Sequence, residues 1–156
     1  MTESNPENTL ILDTSKGAVT IALRPDLAPT HVARIKELAR DGFYDGLVFH
    51  RVIDGFMAQT GCPQGRGTGG SGRKLKAEFS AEKHKRGTVS MARSTDPDSG
   101  DSQFFICFGE APWLDRQYTV WGEVVDGMDA VDAIEKGEPP RTPDRIVSMR
   151  VSADAA

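Results

Sequence analysis

The sequence predicts a mainly β fold in which about seven or eight short strands close into a barrel whose ends are plugged by two helices. Two observations predict it. Most apolar runs are short and bounded by Gly, Pro, Asp or Ser, and only two stretches carry apolar residues at helical spacing. The strands and helices do not alternate as βαβ units, so a parallel sheet is not indicated. Closing an antiparallel sheet removes its exposed edges, which favours a barrel over an open sandwich.

The strands follow from alternating or continuous apolar runs, and the turns follow from Gly and Pro. The predicted strands outside the central hairpin are 9–14, 18–23, 87–92, 103–108, 119–125 and 146–152. The first two form a hairpin through Ser15-Lys16-Gly17. Residues 1–8 and 153–156 are expected to be tails around a single domain at 9–152, and residues 1–8 to be disordered.

Two amphipathic stretches predict the helices. Residues 31–40 carry Val32, Ile35, Leu38 and Ala39 on one stripe, with Thr30 as the expected N-cap. Residues 128–135 form the second helix, with a stripe of Met128, Val131 and Ile134. A long Gly-rich loop at 61–76 is expected to be functional or mobile.

Composition narrows the class of protein. The 156 residues suffice for one domain, and 38% hydrophobic with 27% charged residues is typical of a soluble globular protein. A net charge of -4 argues against a general nucleic-acid binder. The basic clusters 73–76 and 83–86 are interpreted as solvated loop charge. We expect no membrane span and no signal peptide, hence a cytoplasmic protein. Nothing in the sequence suggests an oxidising compartment, so Cys62 and Cys107 are expected to be thiols and not a disulfide.

The stretch 48–59 is the most informative part of the chain. Asp54-Gly55 divides it into two apolar runs and is a strong signal for a two-residue hairpin turn. Period-two alternation places Phe49, Arg51 and Ile53 on one face of the first run and His50 on the other. Arg51 is then either an edge-strand residue whose stem reaches water or a fixed cation at the floor of an apolar pocket, and this stretch alone leaves both readings open.

Several motifs for other chemistries fail. Gly65, Gly67 and Gly70 form a literal GxGxxG, but no helix start follows and no acidic residue stands about 20 positions on, as a dinucleotide site requires. The His and Cys residues lack metal-binding spacing, and no nucleophile elbow is present. We therefore expect no metal and no cofactor.

The run 44–61, which reads YDGLVFHRVIDGFMAQTG, resembles the signature of the cyclophilin family of peptidyl-prolyl cis-trans isomerases. Further blocks match in the family's order: GTGG at 67–70, VSMA at 89–92, SQFFI at 102–106 and WLD at 113–115. The resemblance spans residues 9–152. It implies a closed eight-stranded antiparallel β-barrel capped by two short α-helices, with the active site on its outer face.

The resemblance also implies the roles of individual residues. Arg51 is expected to be catalytic, with Gln59 supporting it. The expected substrate-binding residues are Phe56, Met57, Ala92, Arg93, Gln103, Phe105, Trp113, Leu114 and Tyr118. Two of them depart from the best-known members, since Tyr118 replaces a histidine and Arg93 an asparagine. Tyr118 is expected to weaken the binding of peptides and of cyclosporin-type inhibitors at the rim. The Arg93 departure is expected to matter less if that position contacts substrate mainly through its backbone.

The implied function is acceleration of rotation about X-Pro bonds to assist protein folding. Its expected partners are proline-containing peptides and unfolded or folding proteins, with the enzyme acting as a monomer. The alternative is a proline-peptide binding or chaperone-like module with little turnover. Arg51, Gln59 and Phe105 together favour the enzyme, because binding alone needs no cation at the prolyl nitrogen.

Overall fold

A computed structural model describes residues 6–63, 70–137 and 140–154. Within these ranges the chain forms eight strands, two α-helices and three short 3-10 helices. The strands are β1 (Thr9–Thr14), β2 (Gly17–Leu23), β3 (Arg51–Ile53), β4 (Met57–Thr60), β5 (Thr88–Met91), β6 (Phe104–Cys107), β7 (Val120–Asp126) and β8 (Ile146–Val151). The helices are α1 (Pro29–Arg40) and α2 (Met128–Asp132), and the 3-10 helices are Pro6–Asn8, Pro112–Leu114 and Ser152–Asp154.

The strands form one antiparallel sheet in the order β3-β4-β6-β5-β7-β2-β1-β8. The prediction of a mainly β, eight-stranded antiparallel architecture with two helices is confirmed. The six strands predicted outside the central hairpin are present with ends that differ by at most one residue, whereas β3 begins three residues after the predicted start at Val48. The strand pairing also explains the strong internal burial of β5 and β6, which lie in the middle of one half of the sheet.

The predicted closed barrel is wrong in one respect: the described residues form no ladder between the edge strands β3 and β8. The seam instead carries an isolated bridge between Val48 and Arg145, with backbone hydrogen bonds from Phe49 N–H to Asp144 (2.8 Å) and from Ile146 N–H to Leu47 (2.7 Å). The chain ahead of β3 is irregular, so few of its backbone groups can meet β8. The sheet therefore curls without full closure.

The late start of β3 also changes which face Phe49 occupies. Phe49 is fully buried in the main core together with Val52, whereas Ile53 packs on the opposite face of the sheet. The prediction that Phe49 shares a face with Arg51 is wrong because residues 49–50 lie outside the strand, where strict alternation does not hold.

The start of α1 differs from the prediction. The helix begins at Pro29, a favoured first position for proline, and Thr30 lies inside it without a capping role. The free N–H groups of Thr30 and His31 donate instead to the carboxylate of Glu78, at 3.2 and 2.8 Å. Local sequence could not show this cap, because Glu78 lies in a distant loop.

The second helix is shorter than predicted. It ends at Asp132, and the Glu135 N–H donates to the carboxylate of Asp144 at 2.8 Å rather than continuing the helix. The same carboxylate accepts hydrogen bonds from Ser15 Oγ (2.7 Å) and Lys16 Nζ (3.1 Å). Asp144 thus ties the end of α2 to the β1–β2 turn.

One continuous core lies between the sheet and the helices. The buried stripe of α1 packs against β8 and β7, and α2 packs against β2. Tyr44 is fully buried and its hydroxyl donates to the Ser102 carbonyl at 2.8 Å. Cys62 and Cys107 are both buried, and no disulfide joins them.

The predicted tails and the Gly-rich loop are described only in part. Residues 6–8 form a 3-10 helix, with Glu7 in ion pairs to Lys36 and Arg40, while residues 1–5 and 155–156 lie outside the described residues. Gly65 and Gly67 lie outside them too, as do residues 67–69 of the GTGG block. Gly61 has a φ of 98°, and a side chain there would collide with the Ser102 backbone.

Candidate active site

The β3–β4 hairpin places a cation directly opposite an amide. Arg51 pairs with Gln59 in the strand register, and Arg51 Nη1 donates to Gln59 Oε1 at 3.3 Å. The connection is a three-residue turn, not the predicted two-residue one, because Ile53 pairs with Met57. Gly55 has a φ of 76°, the positive value that this turn position favours.

The side-chain amide of Gln59 is held in turn by a residue that lies just before β6, the strand that pairs with β4. Gln59 Nε2 donates to Gln103 Oε1 at 3.0 Å. Gln103 precedes β6, and its carbonyl accepts the Ala92 N–H at 2.9 Å. The two amides therefore set the position of the guanidinium that bonds to Gln59.

A second apolar cluster covers the outer face of the sheet, separate from the main core. Its buried members are Met57, Phe105, Cys107, Ala111 and Leu114, and its partly buried members are Ile53, Phe56, Ala92 and Tyr118. The strand register explains the cluster, since Met57 pairs with Cys107 and Gln59 pairs with Phe105 on β6. Directly opposed residues point to the same face.

A pocket of about 120 Å³ opens on this cluster. Its lining residues are Arg51, Phe56, Met57, Gln59, Ala92, Arg93, Phe105, Leu114 and Tyr118. The structure thus brings together nine of the eleven residues predicted for the site. The remaining two are near neighbours: Gln103 bonds to Gln59, and the Trp113 ring lies 5.5 Å from that of Phe56.

The 3-10 helix Pro112–Leu114 supplies one residue to the floor of the pocket and one to its rim. Leu114 is buried, whereas the Trp113 side chain is 61% exposed beside Phe56. Such an exposed indole at the mouth of an apolar pocket offers area for a ligand without a large entropic cost.

A buried polar network behind the pocket was missed by the sequence analysis. His84 Nδ1 lies 3.1 Å from Asp115 Oδ1 and its Nε2 lies 2.9 Å from Ser90 Oγ, whose hydroxyl donates to the Thr119 carbonyl at 2.9 Å. The His84 ring stacks on Phe105 at 6.2 Å between centroids. The network therefore supports the pocket wall from behind.

The interpretation of 83–86 as solvated charge is wrong for His84, which is buried between exposed lysines. Burial lowers the pKa of His84, and the opposing effect of Asp115 is smaller. The alternation of Lys83, His84 and Lys85 was the one signal in the sequence that could have placed His84 inward.

His50 lies behind Arg51. It is buried, as expected for the face opposite Arg51, and burial and the Arg51 charge lower its pKa against the smaller effect of Gln103. His50 is therefore neutral near pH 7. No group of three or more His, Cys, Asp or Glu side chains in the described ranges could hold a metal ion.

Comparison with known proteins connects this geometry to a family. The family model for cyclophilin type peptidyl-prolyl cis-trans isomerase/CLD matches residues 9–151. This chain belongs to the cyclophilin family. The resemblance found in the sequence is confirmed, and with it the function as a peptidyl-prolyl cis-trans isomerase.

Relatives of this cyclophilin carry consistent names. A protein of Brucella suis named "Probable peptidyl-prolyl cis-trans isomerase" is 52% identical, over 97% of this chain and 86% of the relative. A peptidyl-prolyl cis-trans isomerase of Synechococcus elongatus is 44% identical, over 94% of this chain and 97% of the relative.

Solved structures agree on the fold. A cyclophilin of Hirschia baltica has a TM-score of 0.92 at 32% identity, covering 99% of this chain and 77% of its own. A Cryptosporidium parvum cyclophilin type isomerase, crystallised in the presence of the dipeptide Ala-Pro, has a TM-score of 0.86 at 28% identity, covering 92% of this chain and 98% of its own. None of the helices described for this cyclophilin is long and apolar enough to cross a membrane.

Proposed function

We propose that this cyclophilin isomerises X-Pro bonds in the pocket between β3, β4 and β6, with Arg51 as the catalytic residue. The observation that carries the proposal is the convergence of a guanidinium, a supporting amide and a buried aromatic floor in one pocket. Its substrates are proline-containing peptides and unfolded or folding proteins. The Cryptosporidium relative, crystallised in the presence of Ala-Pro, supports this substrate class.

The chemistry requires only that the twisted amide be bound more tightly than the planar one. Amide resonance sets a barrier of about 18–20 kcal/mol. In the twisted state the prolyl nitrogen becomes pyramidal and its lone pair localises, so a donor aimed at it lowers the barrier. Arg51 donates in this role and remains charged at all physiological pH values.

The apolar floor supplies the second part of the effect. Met57, Phe105 and Leu114 receive the proline ring, and their low polarity favours the less dipolar twisted amide. One charge-assisted hydrogen bond contributes about 1.5–3 kcal/mol, so desolvation and positioning of the peptide must supply the rest of the roughly 5.5–7 kcal/mol that millisecond turnover needs. Gln59 holds Arg51, and Ala92, Arg93 and Gln103 flank the peptide.

The test is isomerisation of a blocked Ala-Ala-Pro-Phe peptide followed by exchange NMR. Arg51→Ala should lower kcat/KM by about 10- to 150-fold, from the loss of one charged hydrogen bond. Arg150→Ala is the matched control, because Arg150 is exposed on β8 and is not among the residues that line the pocket. Both variants should unfold at the same temperature as the parent.

The same assay separates the enzyme from a chaperone-like binding module. The module would bind the peptide without accelerating exchange. Full activity in a folded Arg51→Ala variant would remove Arg51 from its role. Inhibition by cyclosporin should be weak, because Tyr118 packs edge-on against Phe105 at 5.7 Å where the best-known members carry a histidine.

We further propose that the protein acts as a monomer in the cytoplasm. Cys62 and Cys107 are buried and not joined in a disulfide, which supports a reducing compartment. Burial, reinforced by the charge of Asp115, raises the pKa of Cys107 to about 12, so that thiol should be unreactive in the native state. Thiol titration without reductant should find two thiols in denaturant, and a count of zero would contradict the proposed compartment.

A further inference from the structure

The pocket has two cations on its lining, Arg51 and Arg93. Of the described residues that line it, none is acidic. The mechanism uses Arg51 at the prolyl nitrogen, which leaves the charge of Arg93 without a chemical task. The whole chain carries a net charge of -4, so this positive site is a local feature.

The Arg93 side chain is fixed in place. Its Nε donates to the Gln117 carbonyl at 2.8 Å, and its Nη1 donates to the carbonyls of Ser94 at 2.9 Å and Thr95 at 3.4 Å. The guanidinium carbon lies 4.7 Å from the centroid of the Tyr118 ring, in cation–π contact. A preorganised guanidinium loses little further side-chain entropy when it binds an anion.

The groups that contact the Arg93 guanidinium are neutral carbonyls and an aromatic ring. None of them carries a negative charge that would cancel the charge of Arg93. Within the described ranges the hydrogen bonds of Arg93 go to carbonyls only, no ion pair joins it to a carboxylate, and its Nη2 makes no hydrogen bond. The acidic residues of the following loop have other partners: Asp96 accepts the Asp98 N–H, Asp98 accepts the Ala77 N–H, and Asp101 accepts the N–H groups of Ser71 and Gly72.

We propose that Arg93 gives this cyclophilin a preference for X-Pro substrates that carry a carboxylate side chain on a residue adjacent to the proline. The inference rests on the proposed pocket, since a proline held on Phe105 puts its neighbouring residues beside the pocket lining. The carboxylate meets the Nη2 donors of Arg93, while a lysine at the same place is repelled by the Arg93 guanidinium. Arg93 is thus a specificity residue and takes no part in bond rotation.

The test compares three blocked peptides that carry Glu, Gln or Lys immediately before the proline, and a second set with these residues immediately after it. Exchange NMR gives kcat/KM without a coupling protease. In one of the two sets, Glu should exceed Gln by roughly 2- to 5-fold at low salt, and Lys should fall below Gln by a similar factor. The preference should shrink towards 1 at about 1 M salt.

Variants assign the preference to one side chain. Arg93→Gln should bring the Glu-to-Lys ratio close to 1, and Arg93→Lys should keep part of it because the charge remains. Arg150→Gln removes the same net charge from exposed β8 and should leave the ratio unchanged. A merely structural role for Arg93 would slow all three peptides alike without changing their ratio.

The outcomes separate this inference from the proposed function. Equal rates for Glu, Gln and Lys in both sets, or a ratio that survives Arg93→Gln, would overturn the specificity role while leaving the Arg51-dependent turnover of Ala-Ala-Pro-Phe intact. Failure to accelerate Ala-Ala-Pro-Phe at all would instead overturn the proposed function of the pocket.

Discussion

At the residue scale, the two tryptophans occupy opposite environments. Trp113 is 61% exposed at the pocket mouth, whereas Trp121 is fully buried in the main core against Phe104. A peptide that enters the pocket changes the solvent around the first indole and leaves the second unchanged. The fluorescence of Trp113 should therefore report binding, and the fluorescence of Trp121 serves as an internal reference.

We predict that an Ala-Ala-Pro-Phe peptide changes the tryptophan emission, and that Trp113→Phe removes most of this change. The physical reason is desolvation of the rim indole beside Phe56. A peptide with alanine in place of proline is the control and should have little effect. A full signal in folded Trp113→Phe would show that the ligand binds elsewhere.

Individual residues also show how far the sequence could predict the site. The roles expected for Arg51, Gln59 and Phe105 came from the resemblance to the family, and the strand register that brings them together was not predicted. The support from His84 and Ser90 was missed, because a histidine among lysines was interpreted as part of a solvated basic cluster and its contact with Ser90 forms only in the folded chain.

At the element scale, α1 depends on a single carboxylate. Glu78 accepts the N–H groups of Thr30 and His31 and lies 2.6 Å from His31 Nδ1. Burial raises the pKa of Glu78, but the hydrogen bonds from the His31 ring and from the two N–H groups outweigh it and hold the pKa below its usual value. The carboxylate is ionised and faces the positive end of the helix dipole.

Glu78→Gln should lower the free energy of unfolding by about 1–3 kcal/mol, because the amide loses the charge and must turn its NH₂ toward one of the donors. Urea unfolding with an unchanged m-value measures it. Glu110→Gln, at an exposed carboxylate, is the matched control and should lie within about 0.5 kcal/mol of the parent. Equal stability of the two variants would remove Glu78 as the cap.

The ends of strands and helices could be predicted where the local apolar periodicity sets them. They could not be predicted where a contact with another part of the fold sets them. The strand β1 begins and ends where alternation predicts. The start of α1 and the end of α2 depend instead on the carboxylates of Glu78 and Asp144, and the seam is open because the chain ahead of β3 is irregular. The local sequence pattern does not indicate such tertiary contacts, so it cannot predict the ends that they set.

At the scale of the whole molecule, the three histidines share one property. His31, His50 and His84 are all buried, and burial is the main cause that lowers the pKa of each. For His31 and His84 the bonded carboxylates of Glu78 and Asp115 oppose the shift without cancelling it. In the unfolded chain all three return to the ordinary histidine pKa of about 6.5.

The free energy of unfolding should therefore fall as the pH falls below about 6.5, because the unfolded state then binds protons that the folded state resists.

Each histidine contributes a slope of at most about 1.4 kcal/mol per pH unit, so three contribute at most about 4 kcal/mol per pH unit. The slope flattens once the pH is below the pKa values of the folded state. Carboxylates with lowered pKa values, such as Glu78 and Asp115, act only lower, as the pH falls through about 4. Urea unfolding between pH 7.5 and 5 isolates the histidine window. In His31→Gln the slope should fall by about a third, since one titrating group is gone. A stability that stays constant or rises from pH 7 to pH 5 would mean that the carboxylate partners, and not burial, control these histidines.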